Sequence, residues 1–137
     1  AILRGIKDGD IFGPTDVYGV RLPMPADCVA LVLGQVTASL EPTSPAVDGK
    51  KNNPMMPIAW TRIVNKARYF TTTMGASQDF QSEALRRLIV NSCYWALSMD
   101  DKIPERAMVD LVGEFKPTAF SFDGFKKGVR PGDHALK

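Results

Sequence analysis

Thr71-Thr72-Thr73-Met74-Gly75-Ala76-Ser77-Gln78-Asp79 links a β-prone run to a long helical pattern, and it concentrates side chains that could hold a polar ligand. Open α/β sheets gather ligands at the carboxyl ends of their strands, and a helix N-terminus offers unpaired N–H groups with partial positive charge. Thr73, Ser77, Gln78 and Asp79 could hydrogen-bond sugar hydroxyls there, while Gly75 lets a ligand approach the backbone closely. The same residues also suit a local role, in which Ser77 and Asp79 cap the helix and Gly75 turns the chain. Trp60 is a second candidate, because an aromatic face stacks on a sugar ring, and the nearby Arg62 could hold a carboxylate or phosphate. A strand tryptophan equally suits a core. Asp16 and Tyr18 could form an acid/base pair at a strand start, with Asp8 and Asp10 adding carboxylates, although Asp10 and Asp16 also suit turns. Lys126, Lys127 and Arg130 read as a solvated surface, or otherwise as an anion or subunit contact.

Other chemistry is excluded by residue type and spacing. Glutamine hydrolysis needs a cysteine on a sharp strand-to-helix elbow and a histidine base. Cys28 lacks flanking glycines, Cys93 falls inside the helical pattern, and His134 is the single histidine of the 137 residues. Both cysteines read as small buried hydrophobes. One histidine and two distant cysteines have no zinc-ligand spacing, so no metal and no cofactor is expected. A net charge of +2 is too small to point to nucleic acid, whose binders cluster lysine and arginine against phosphates. No apolar run reaches the roughly 20 residues that span a bilayer, so no membrane partner is expected. Residues 1–5 do not resemble a secretory signal, and cysteine usage leaves the compartment, cytoplasmic or periplasmic, undetermined.

Length and an apolar fraction of 45% fit one domain with a core. Residues 2–15 read as an irregular, partly packed loop, and Asp16–Val20 alternates as a short strand ended by Pro23 and Pro25. Cys28–Val36 is nearly continuous in apolar residues, which predicts a strand buried on both faces of a sheet covered by helices. Ser39–Pro54 should be an exposed excursion between strands. Pro57–Ile63 and Ala67–Thr73 predict a β-hairpin about Val64-Asn65-Lys66. From about Phe80 to Ser98, Ala84, Leu85, Leu88, Ile89, Ser92, Cys93, Ala96 and Leu97 recur on one helical stripe. Asp79 can cap its first turn, and Glu83 stands correctly before Arg87 for a helical ion pair. A second helix is predicted over Pro104–Val112, with proline at its first turn and Gly113 beyond its end. Glu114–Lys137, with Phe115, Phe120, Phe122 and Phe125, reads as a tail laid across the domain.

The order Asp16-Val17-Tyr18, the apolar strand to Gly34, Pro57-Ile58-Ala59-Trp60-Thr61, Arg68-Tyr69-Phe70-Thr71-Thr72-Thr73-Met74-Gly75 and Leu88-Ile89-Val90-Asn91-Ser92-Cys93-Tyr94-Trp95-Ala96 resembles the ThuA-like (trehalose utilisation) family. The resemblance runs over residues 1–99, and 100–137 form a short helix and tail outside the common pattern. It implies an α/β, flavodoxin-like fold of the class I glutamine-amidotransferase type, and a role in carbohydrate metabolism with a sugar or sugar derivative as partner. Ile2-Leu3-Arg4-Gly5-Ile6 resembles the stretch that follows a His-Pro pair in that family, which implies a preceding segment carrying the first strands. Gly124-Phe125-Lys126-Lys127-Gly128 is similar to extended planctomycete-type members. Two departures stand out: Ala76 occupies a position where the family commonly has histidine, and Asn65-Lys66-Ala67 replaces glycines before the strand. An incomplete sheet would expose an edge, so a homo-oligomer or a contact with the preceding segment is expected. The alternative function is a non-catalytic interaction or scaffold domain on the same fold.

Overall fold

The hairpin forms where the sequence places it. Strand β2 (Met56–Val64) pairs antiparallel with β3 (Ala67–Thr72), from Val64 opposite Ala67 to Ala59 opposite Thr72. Asn65 and Lys66 both take positive φ, 50° and 68°, which a two-residue turn between right-twisted strands requires. The computed structural model describes residues 1–119 and 121–135. Phe120 of the expected tail lies outside the described residues, as do Leu136 and Lys137.

Strand β1 (Cys28–Gly34) pairs antiparallel with the other side of β2, so the described strands form one sheet in the order β1-β2-β3. The register slips around Leu31, a bulge that bends the strand. The expectation of burial on both faces does not hold. Val29 is 60% exposed and Leu33 half exposed, because no helix among the described residues packs over β1. Asp16–Val20 forms no strand either. It has no neighbour to pair with, Val17 packs against Gly34, and the Val20 N–H donates to the Met56 sulfur instead of a ladder carbonyl.

Helix α1 (Glu83–Ala96) is shorter than the helical pattern at both ends. Ser82 is its N-cap, its hydroxyl accepting from the Leu85 N–H, and Asp79 instead caps the 3-10 turn Ser77–Gln81 that precedes it. Leu85 and Leu88 of α1, Ala59 of β2 and Ile2 make the buried core, with Leu31, Phe70 and Met74 packed around them. The buried face of α1 is rotated from the apolar stripe. It includes Arg87 and Asn91, while Cys93, Ala96 and Leu97 are exposed; Cys28 is half-buried, so neither cysteine is a core residue. Backbone carbonyls explain the rotation. The Asn91 amide donates to the Ile2 and Arg4 carbonyls at 2.8 and 3.0 Å, so the helix holds the N-terminal arm by a polar side chain. At the other end Arg68 of β3 lies 5.1 Å over the Trp95 ring, donates to the Trp95 carbonyl and pairs with Asp100.

Pro104–Val112 is not helical. It runs as an extended strap, with Ala107 and Val109 buried and Met108 between them exposed, the alternation of a strand rather than a helix. Arginines from elsewhere take its carbonyls: Arg86 Nε donates to Val109 at 2.7 Å and Arg87 Nε to Ala107 at 3.1 Å, and Arg4 donates to the Ile103 carbonyl just before it. A carbonyl engaged in this way is directed across to α1 rather than along a helix axis.

The excursion between β1 and β2 is compact. Thr37 bridges Ala46, and the Asn52 side chain accepts from the Val36 N–H and donates to the carbonyls of Val36 and Val47, pinning both limbs. No helix among the described residues is long and apolar enough to cross a membrane.

Candidate functional site

The junction after β3 closes on itself. Asp79, 1% exposed, accepts from the N–H groups of Gly75 and Ala76 with one carboxylate oxygen, at 3.0 and 3.1 Å, and from the Thr15 hydroxyl with the other, at 2.9 Å. The Met74 N–H donates to Thr72 Oγ1, and Thr73 N–H to the Ile58 carbonyl. Free amides were expected here; instead a buried carboxylate occupies them, which is the helix-anion affinity satisfied from within the chain. Gly13 approaches so closely that a Cβ there would stand 2.5 Å from Asp79 Oδ1, so the arm needs glycine at that contact. Ser77 donates to the Thr118 carbonyl at 2.8 Å and so anchors the tail.

A cleft of about 780 Å³ opens next to this junction, between the N-terminal arm, the 3-10 turn and the first turn of α1. Lys7 and Asp10 line it from the arm, Gln78 and Gln81 from the turn, Glu83 and Arg87 from α1, and Arg106 from the strap. Glu83 Oε1 accepts from Arg106 at 2.9 Å and from Arg87. The Arg106 hydrogen bond, then that of Arg87, holds the Glu83 carboxyl down at about 2, well below its ordinary 4.5. Glu83 in turn raises the Arg106 guanidinium. Arg87 is 3% exposed, so this charge is fixed in place by Glu83 and the Ala107 carbonyl while Arg106 remains at the surface. The cleft therefore presents rigid charge at its floor and two primary amides at its wall, groups that can donate and accept at once.

A groove of about 960 Å³ runs along β1 and the residues that follow it, from Ala30 to Thr37. Its lining is mixed: apolar side chains such as Ile11, Phe12, Leu31 and Leu33 stand with Thr15, Gln35 and Ser44 and with the charged Lys7, Asp8 and Asp16. Ile6, Lys7, Phe12 and Pro42 line both cavities.

The residues singled out from the sequence are dispersed over these features. Gln78 lines the cleft and Asp16 the groove; Asp79 and Gly75 are joined to each other by a hydrogen bond. Trp60, Arg62, Thr73, Ser77 and Tyr18 line neither cavity. Trp60 sits in mid-sheet between Ala30 and Thr71, Arg62 pairs with Asp27 at 2.8 Å, and Tyr18 is exposed. Among the described residues no three His, Cys, Asp or Glu side chains come together as a metal site would need.

No family model, curated protein or solved structure matches the chain.

Gln81, Arg87 and Arg106 enter the site without having been singled out for it. Arg87 had a legible signal, a charged residue beside Leu88 and four before Asn91 on what becomes the buried face. Arg106 had none, because it reaches Glu83 across 23 residues.

Proposed function

We propose that the chain is part of a ThuA-like, flavodoxin-like domain of carbohydrate metabolism and binds a sugar or oxidised sugar derivative in the cleft beside the N-terminus of α1. The observation that carries this reading is the set of Gln78, Gln81, Asp10 and Arg106 around one concavity of ligand size. Amides, a carboxylate and a guanidinium together match the alternating donors and acceptors of vicinal hydroxyls, and the buried Arg87, paired with the exposed Glu83, holds a fixed charge beside them. The family resemblance supplies the ligand class, and the cleft adjoins the segment that resemblance singles out. The proposal is of binding and includes no reaction.

Calorimetric titration of the chain with trehalose, glucosides and their keto forms tests it. Binding to at least one is expected. Replacing Gln78 or Arg106 with alanine should weaken it by about tenfold each, the equivalent of about 1.4 kcal/mol per lost polar contact. No heat from any of these ligands would overturn the reading.

The second reading is a non-catalytic interaction domain. Asp79's occupation of the Gly75 and Ala76 amides favours it, as do the exposed Val29 and Leu33 of an end strand. Gln81→Ala separates the two at the cleft: a sugar binder loses affinity there, whereas the assembly of a scaffold is unchanged.

A further inference from the structure

We infer that the aromatic and basic segment Ser121–Arg130 of one copy docks into the groove along β1 of a second copy of the chain. The two surfaces are complementary in both apolar character and charge. The groove is walled by Ile11, Phe12, Leu31, Leu33, Leu40 and Met74. Its charged lining is Asp8 and Asp16 against Lys7, two negative charges and one positive, a net of −1. The segment exposes Phe125 by 68%, and it carries Lys126, Lys127 and Arg130 against Asp123, three positive charges and one negative, a net of +2.

A large exposed ring such as Phe125 beside three positive charges is costly in water, and a groove that offers apolar side chains and a net negative lining offsets both. The segment does not fill the groove of its own chain: no described residue beyond Met74 lines it, and Ser77 fixes the tail's root at Thr118. A second copy supplies the same tail and the same groove. Reciprocal exchange then closes a two-fold dimer with both grooves filled, whereas one-way docking would propagate a chain of copies.

Light scattering and sedimentation of the whole chain, over a concentration series and at low and high salt, test this. A dimer whose dissociation constant rises with salt is expected. Lys126→Glu with Lys127→Glu should raise that constant at least tenfold, and so should Asp8→Lys with Asp16→Lys. All four changes in one chain should restore association, because the charges are exchanged rather than removed. Phe125→Ala should weaken the dimer without changing its salt dependence. Circular dichroism matching the parent keeps misfolding out of the comparison, and the four-change rescue is a result misfolding does not produce. A chain that stays monomeric at every concentration overturns the inference. So does a dimer that neither pair of reversals disturbs.

Discussion

Asp79 shows how a residue that looks available for chemistry can be fully engaged in architecture. Its carboxylate joins the β3–α1 junction to the N-terminal arm through Gly75, Ala76 and Thr15. Asp79→Ala would leave two N–H groups without their acceptor, and a loss of about 2–4 kcal/mol in urea unfolding is expected. Asp79→Asn should fall between, since the amide keeps one acceptor oxygen and loses the charge. Activity lost in an alanine variant would therefore report on folding before it reported on catalysis. Glu83 makes a different prediction, in pH. Its carboxyl is held near 2 by Arg106 and Arg87, below its ordinary 4.5, so its folded-state value is depressed. The stabilisation is then fully present above pH 4.5 and is lost as the pH falls towards 2. Unfolding midpoints of the chain and of Glu83→Gln should differ by a constant amount above pH 4.5 and converge between pH 4.5 and 2. A gap that persists to pH 2 would count against the Arg106 and Arg87 bonds as its source. What the sequence conveyed at this scale was residue type: a carboxylate at position 79 suited to capping, and Glu83 spaced for Arg87. It did not convey that Thr15 and Arg106 would join them, because those contacts span 64 and 23 residues.

Elements were legible where local chemistry decides them. Asn65-Lys66 could be read as a turn because short-range backbone conformation determines it, and the helix because its apolar spacing recurs over several turns. The strap was not, since Pro104 and Gly113 are sound helix boundaries with no helix between them. Its conformation depends on Arg86 and Arg87 donating to Val109 and Ala107, and a long-range donor leaves no mark in the strap's own sequence. Arg86→Ala with Arg87→Ala should therefore release residues 104–112, and limited proteolysis should cut there faster while α1 stays intact by circular dichroism. The helix itself depends on its core face. Leu88, completely buried, should cost about 2–5 kcal/mol when replaced with alanine, read as a lowered urea midpoint. Ser82→Ala should cost about 1 kcal/mol in the same measurement, through loss of the cap on Leu85.

For the molecule as a whole, stability should grade outward from β2, which is flanked by strands on both sides and contributes Ile58, Ala59 and Thr61 to the buried set. Amide hydrogen exchange is expected to be slowest in β2 and in α1 around Leu85–Asn91, faster in β1, and fastest beyond Gly113, where exposed residues predominate. Equal protection of β1 and β2 would show that the outer side of β1 is covered in solution. Ile6, Lys7, Phe12 and Pro42 line both the cleft and the groove and so belong to a wall that the two share. Pro42 stands on the excursion that Asn52 pins, so the wall is anchored from two parts of the chain. A substitution in a shared wall has two readouts, and neither can be interpreted alone. Phe12→Ala would alter a sugar titration and an association constant together, even if the two events had no functional connection. Residues belonging to one chamber, such as Gln81 or Leu33, are the ones whose replacement can tell a coupled pair of sites from two independent neighbours.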